Sequence, residues 1–164
     1  MKHKSSQPRS FFDEEFRLEK LTAQKDTLVK LKERIDFELF RLLLEEAFDK
    51  EEKGTGGARP YDYVLMFKIL ILQRYYNISD DKMEFQILDR LSFMRFLGLP
   101  LADKVPDAKT IWLFRENLTQ THLTEKLFEL FLEELKKKKN KIKSAGETLP
   151  EIKQVRQESG KIYD

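Results

Sequence analysis

The chain has 164 residues, 40% hydrophobic and 37% charged, enough for one domain with a sizeable core and heavily charged outer faces. It contains no cysteine, which excludes a disulfide framework, thiolate metal sites and a cysteine nucleophile, and suits a reducing cytosol. Net charge is +2 but unevenly placed: from Lys136 onward nine Lys/Arg face four acids, a net of +5, which leaves −3 to residues 1–135.

Residues 1–10, rich in Ser, Gln, Pro and Lys, offer nothing to bury and are expected to be disordered. The segment after them, Phe11 to Lys20, lacks the apolar stretch and small-residue cleavage site of a signal peptide. Phe11, Phe12, Phe16, Leu18 and Leu21 begin a short amphipathic piece, and Leu28, Leu31 and Ile35 mark a helical stripe over Gln24 to Arg34. Asp36 is placed to cap the next helix, in which Phe37, Phe40, Leu43, Leu44 and Phe48 share a face, ending near Asp49. The glycine-rich run Glu51 to Arg59 reads as a flexible connection. It is no phosphate loop, because no strand precedes it and the Gly-Lys-Ser/Thr ending is missing.

Pro60 opens a predicted helix through Tyr76 that is apolar on nearly all sides and so the most buried of the fold. Its apolar run is broken by Lys68 and is well short of the roughly 20 residues that cross a bilayer, so no membrane partner is expected. Asn77 ends it, and Ser79 caps a helix over Asp80 to Arg90 with Met83, Ile87 and Leu88 facing inward. Lys82 in the third position leaves the capping box incomplete. Ser92 is placed to cap a short helix holding Phe93, Phe96 and Leu97, closed by Gly98. Beyond an irregular crossing from Leu99 to Val105, Asp107 caps a helix to about Thr119 with Ile111, Phe114 and Leu118 buried.

The last predicted helix, Leu123 to about Lys139, buries Leu127, Phe128, Phe131, Leu132 and Leu135. Its final lysines, Lys136, Lys137, Lys138 and Lys139, suit the negative end of the helix dipole. Residues 140–164 lose the apolar period and are expected as a flexible basic tail. No segment alternates as a strand, so the predicted fold class is all-α, a multi-helix domain.

Enzyme signatures are sparse. His3 and His122 have no partners at metal-ligand spacing, and Asp80, Asp81 and Glu84 read as dipole-favoured charges in a first helical turn rather than a metal cluster. The three helices between Asp80 and Thr119 suggest a helix-turn-helix-like portion. Its last helix turns Lys109, Trp112, Leu113, Glu116 and Gln120 outward, a face suited to DNA, to a second subunit or to another part of the same protein.

Charge restrains the DNA reading, since Ser79 to Leu118 holds seven acids and six bases where a phosphate-binding footprint is clearly basic. Arg115 flanks the buried stripe with an acid such as Asp89 available to pair with it. Arg90, Arg95 and Lys109 are the candidate phosphate contacts, and the lysine run is either a non-specific DNA tether or simply a solvated run.

The order of blocks narrows this further. Arg59-Pro60-Tyr61, the apolar helix ending Tyr75-Tyr76-Asn77, Ile78 to Asp81, Asp89 to Gly98, Val105-Pro106-Asp107, Thr110-Ile111 and Phe114-Arg115 succeed one another in a recognisable sequence. Over about Phe16 to Leu135 the chain resembles the N-terminal domain of InsH-type transposases, of the DDE class in the group named after insertion sequence five. The resemblance implies a helical domain over residues 11–139 that binds DNA at terminal inverted repeats, with homo-oligomers among its partners, in the bacterial cytoplasm or at the nucleoid. Strand cleavage in such proteins belongs to a subsequent ribonuclease-H-like domain whose three carboxylates hold divalent metal ions.

The Val-Asp-Ala-like strand that opens that domain is missing, and no aspartate lies between Asp107 and Asp164. The chain therefore reads as a transposase cut short before its active site, with no catalytic residue, metal or cofactor of its own. The alternatives are a dimerisation module, a non-functional remnant, or the first half of a frameshifted transposase. The site residues expected on this basis are Arg90, Arg95, Lys109, Trp112, Lys136, Lys137, Lys138 and Lys139.

Overall fold

The protein is seen here in a computed structural model that describes residues 12–48 and 60–144, with side chains described as far as residue 137. Among the described residues there are eight α-helices, one 3-10 turn and no strand, so the all-α expectation holds. The expected disordered start, the glycine-rich connection and residues 145–164 lie outside them.

Asp13–Ala23 forms α1 and Thr27–Arg34 forms α2, where sequence periodicity suggested one helix from Gln24. The break is local: Lys25 takes a left-handed conformation at φ 62°, and the Asp26 carboxylate accepts the Leu28 N–H at 3.0 Å, restarting the helix. Asp36 caps as predicted, accepting from Glu38 N–H, but it opens a 3-10 turn over Phe37–Phe40 leading into α3, Arg41–Phe48.

Helix α4 spans Tyr63–Tyr76 and begins three residues after Pro60, because the Asp62 side chain accepts the Leu65 N–H at 2.9 Å and so fixes the first turn. It is the central helix. Val64, Met66, Phe67, Ile69, Leu70, Ile71 and Leu72 are all buried, so neighbours surround it on every side. Its end is set by Asn77, left-handed at φ 52°, and by the Ile78 N–H donated back to the Gln73 carbonyl at 3.0 Å.

Helix α5 is Asp80–Asp89, α6 Leu91–Leu97, α7 Ala108–Gln120 and α8 Leu123–Ser144. Ser79 stands at the N-cap of α5 without a side-chain cap bond. Arg90, not Ser92, occupies the N-cap of α6, since the extended Arg90 backbone already offers its carbonyl to Phe93 and Met94. Gly98 closes α6 at φ 78°, where open space surrounds it and only the backbone conformation calls for glycine. Asp107 caps α7 through the Thr110 N–H at 2.7 Å, as the sequence predicted.

Two inward assignments fail. Leu88 on α5 is 58% exposed and Leu132 on α8 46% exposed, each lying beside the true stripe of its helix, Met83 and Ile87 or Leu127 and Phe131. Helix α8 also runs on to Ser144, past Lys139: lysine is a good helix former, and the first breaker in the sequence, Gly146, comes later.

The core is aromatic at its joints. Phe48 stacks on Tyr63 at 4.8 Å and on Phe114 at 4.9 Å, which joins α3, α4 and α7. Phe40 meets Phe67 at 5.0 Å, and Tyr76 meets Phe93 at 5.0 Å. Around it, α5 packs on both α6 and α7, and α2 packs on α6 and α8.

Candidate nucleic-acid interface

The arginines of this fold divide by what their guanidinium groups already hold. Arg115 pairs with Asp80, not with Asp89, and also reaches Gln73 Oε1 at 3.4 Å. Gln73 Nε2 in turn donates to Asp80 Oδ1 at 2.8 Å, so one polar knot fastens α4, α5 and α7. Asp80 is therefore a structural ion-pair partner. Among the described residues no three His, Cys, Asp or Glu side chains converge into a metal-binding set.

Arg95, one of the expected DNA contacts, has its guanidinium engaged within the fold. Its guanidinium donates to the Leu18 carbonyl at 3.0 Å and to Thr22 Oγ1 at 2.8 Å, and it pairs with Asp26 at 2.6 Å. Its carbonyl receives Lys32 Nζ at 3.0 Å. The side chain is only 20% exposed and Asp26 only 9%, so this is a partly desolvated clamp from α6 onto α1 and α2. Arg41 is likewise engaged, with Glu38 at 2.6 Å and Asp62 at 2.6 Å. Burial pushes the Asp62 carboxyl up, but the Arg41 hydrogen bond and the N–H groups of Leu65 and Val64 outweigh it and hold it below the usual carboxylate range.

Arg90 is different. It sits exposed at the single-residue junction of α5 and α6, its guanidinium carbon 4.9 Å from the Phe93 ring centre and 5.8 Å from that of Tyr76. It lines a shallow groove with Arg17 and Lys20 of α1, two cations the sequence reading missed. Their three-residue spacing on one helix face was legible; their convergence with Arg90, roughly seventy residues later, was not.

The remaining candidates lie elsewhere. Lys109 is exposed in the first turn of α7, and Trp112 and Leu113, each 50% exposed, come next on the same outward face with Gln120. Lys136 and Lys137 are exposed on α8, Lys137 bonded to Glu134 at 2.8 Å, a contact that raises its pKa. The side chains of Lys138 and Lys139 lie outside the described residues. Among the described side chains, those of Lys109, Trp112, Lys136 and Lys137 do not line the Arg90 groove.

The helices expected to form a helix-turn-helix-like portion, α5 to α7, are joined unevenly. Within α5 to α7 one junction is the single residue Arg90 and the other a long crossing to Asp107, while the three-residue turn, Asn77 to Ser79, joins α4 to α5. Among the described residues no helix is long and apolar enough to cross a membrane.

A family model described as a transposase domain, DUF772, matches residues 16–117, from α1 almost to the end of α7. The chain belongs to this transposase-domain family. The matched span takes in Arg17, Lys20, Arg90, Arg95, Lys109 and Trp112, and ends short of α8 and its lysines. No solved structure matches the chain.

Proposed function

We propose that the chain is the DNA-recognition region of an insertion-sequence transposase of the InsH type, engaging terminal inverted repeats and contributing no catalytic carboxylate. The observation that carries this is the transposase-domain match over residues 16–117, the same helices that present Arg90, Lys109 and Trp112 to solvent. In this proposal the α5 to α7 portion reads the repeat, with Lys109 on phosphate and Trp112 against the groove wall or an unstacked base. Lys136 to Lys139 add sequence-independent affinity. Strand cleavage and transfer fall to metal-holding carboxylates outside the described helices, and the protein acts in the bacterial cytoplasm, where the element's DNA is.

A gel-shift titration with a duplex carrying the element's terminal repeat and a scrambled duplex of equal length tests this. Tighter binding to the repeat is expected, persisting at moderate salt. Equal affinity for both would defeat sequence recognition. A second function has one specific observation in its favour, the adjacent half-exposed Trp112 and Leu113 on the outward face of α7. Pairing of two copies through that face predicts a dimer on sizing, reduced to a monomer by Trp112→Glu.

A further inference from the structure

We propose that the groove between α1 and the start of α6 is a clamp for DNA backbone phosphate, formed by Arg17, Lys20 and Arg90. It rests on the DNA-binding function proposed above and adds a contact surface outside the α5 to α7 recognition helices. Seven residues line the groove and none is acidic, in a region whose charge over residues 1–135 is −3. A local concentration of positive charge against an acidic background focuses the field where an anion would dock.

Among the described residues, these three cations differ from the arginines that fasten the fold in having no carboxylate partner. Arg41, Arg95 and Arg115 are each paired with a carboxylate. Among the described residues, no carboxylate pairs with Arg17, Lys20 or Arg90, and none of their side chains donates a hydrogen bond within the fold.

Arg90 is also steadied without using its donors. Its guanidinium lies over Phe93 and Tyr76, and contact with ring faces leaves the N–H edges for the two-pronged hydrogen bonding that phosphate oxygens accept. Gln24 and Ser92, which also line the groove, supply neutral donors of the kind that commonly supplement cations on phosphates. Arg95 enters as a positioning residue: its bonds to Leu18, Thr22 and Asp26 seat α1 against α6 and so bring Arg17 and Lys20 beside Arg90.

The test is fluorescence anisotropy of the full chain with a labelled duplex from about 50 to 200 mM salt, comparing wild type with the double variant Arg17→Gln/Lys20→Gln. Each neutralised phosphate contributes about 0.9 to the slope of log affinity against log salt. Loss of two contacts lowers the slope by about 2, so the affinity gap between wild type and variant narrows about tenfold across that range. The loss is equal for repeat and scrambled duplexes, because backbone contacts carry no sequence information.

Arg90→Gln lowers the slope further, and Lys30→Gln, exposed on α2 away from the groove, leaves it unchanged. Both groove positions on α1 are exposed, and circular dichroism of the double variant is expected to match wild type. Wild-type binding with an unaltered slope in the double variant overturns the clamp and leaves the DNA-binding function standing. A wild type that binds no duplex at low salt removes both. Loss of binding to phosphatidylserine vesicles without loss on duplex would reassign the groove to a lipid surface and overturn the proposal.

Discussion

Helix α4 buries eight of its fourteen residues, whereas α1 buries none of its eleven. Both belong to one fold, yet they are held by different physics. For α4 the holding force is removal of apolar surface from water, roughly 1.5–3 kcal/mol for each large side chain buried. That force has no direction and needs no particular partner. For α1 it is a few hydrogen bonds from Arg95, each worth about 1.5–3 kcal/mol at most and dependent on geometry. A helix held in the first way is scaffold, and one held in the second way can be released without unfolding the rest.

The largest expected effect breaks the α4 side of this contrast. Leu72 is fully buried at the centre of the fold, and Leu72→Ala is expected to cost about 2–5 kcal/mol in urea unfolding, with α4 and the helices packed around it lost in one transition.

Arg95→Gln is next and tests the α1 side. It breaks a clamp in which Asp26 is only 9% exposed, for an expected loss of about 1–3 kcal/mol. Hydrogen exchange is expected to show lost protection in residues 13–23 with α4 amides unchanged. Equal loss in both helices would mean that α1 is part of the core unit.

Acidification probes the polar entry to α4. Hydrogen bonding to Arg41 lowers the Glu38 carboxyl, and Asp62 is lowered despite the upward push of burial. A carboxyl lower in the native than in the unfolded state contributes stability that is present above the unfolded value, about 4, and lost as pH falls through the native one. Stability is therefore expected to drop on acidification below about pH 4, and Arg41→Gln to flatten that part of the profile. The smallest effect is expected for Phe16→Ala, at a side chain 54% exposed on α1: under about 0.5 kcal/mol, showing that α1 is not seated by its own aromatics.

Much of the fold was legible because local rules and burial agreed. The apolar run of α4 announced a buried helix, and Asp36, Asp107, Asn77 and Gly98 punctuated the chain where capping chemistry predicts. Errors arose where a nearby residue offered a better cap or where tertiary packing set the edge of a buried face. Asp62 took the N-cap that proline statistics assigned nearer Pro60, and Leu88 and Leu132 fell just outside the area their neighbours cover.

By itself the sequence determined the all-α class, the central helix, the buried stripes and the order of blocks that led to the transposase family, since these arise from periodicity and composition. Only the tertiary structure decided which basic residues are available. Arg90, Arg95 and Arg115 look alike in sequence. Packing gave Arg95 to α1 and α2 and Arg115 to Asp80, and left Arg90 over two aromatic rings beside Arg17 and Lys20. The reason is that a charge's partner is set by what lies within a few ångströms in space, a distance that residue numbers tens of positions apart do not encode.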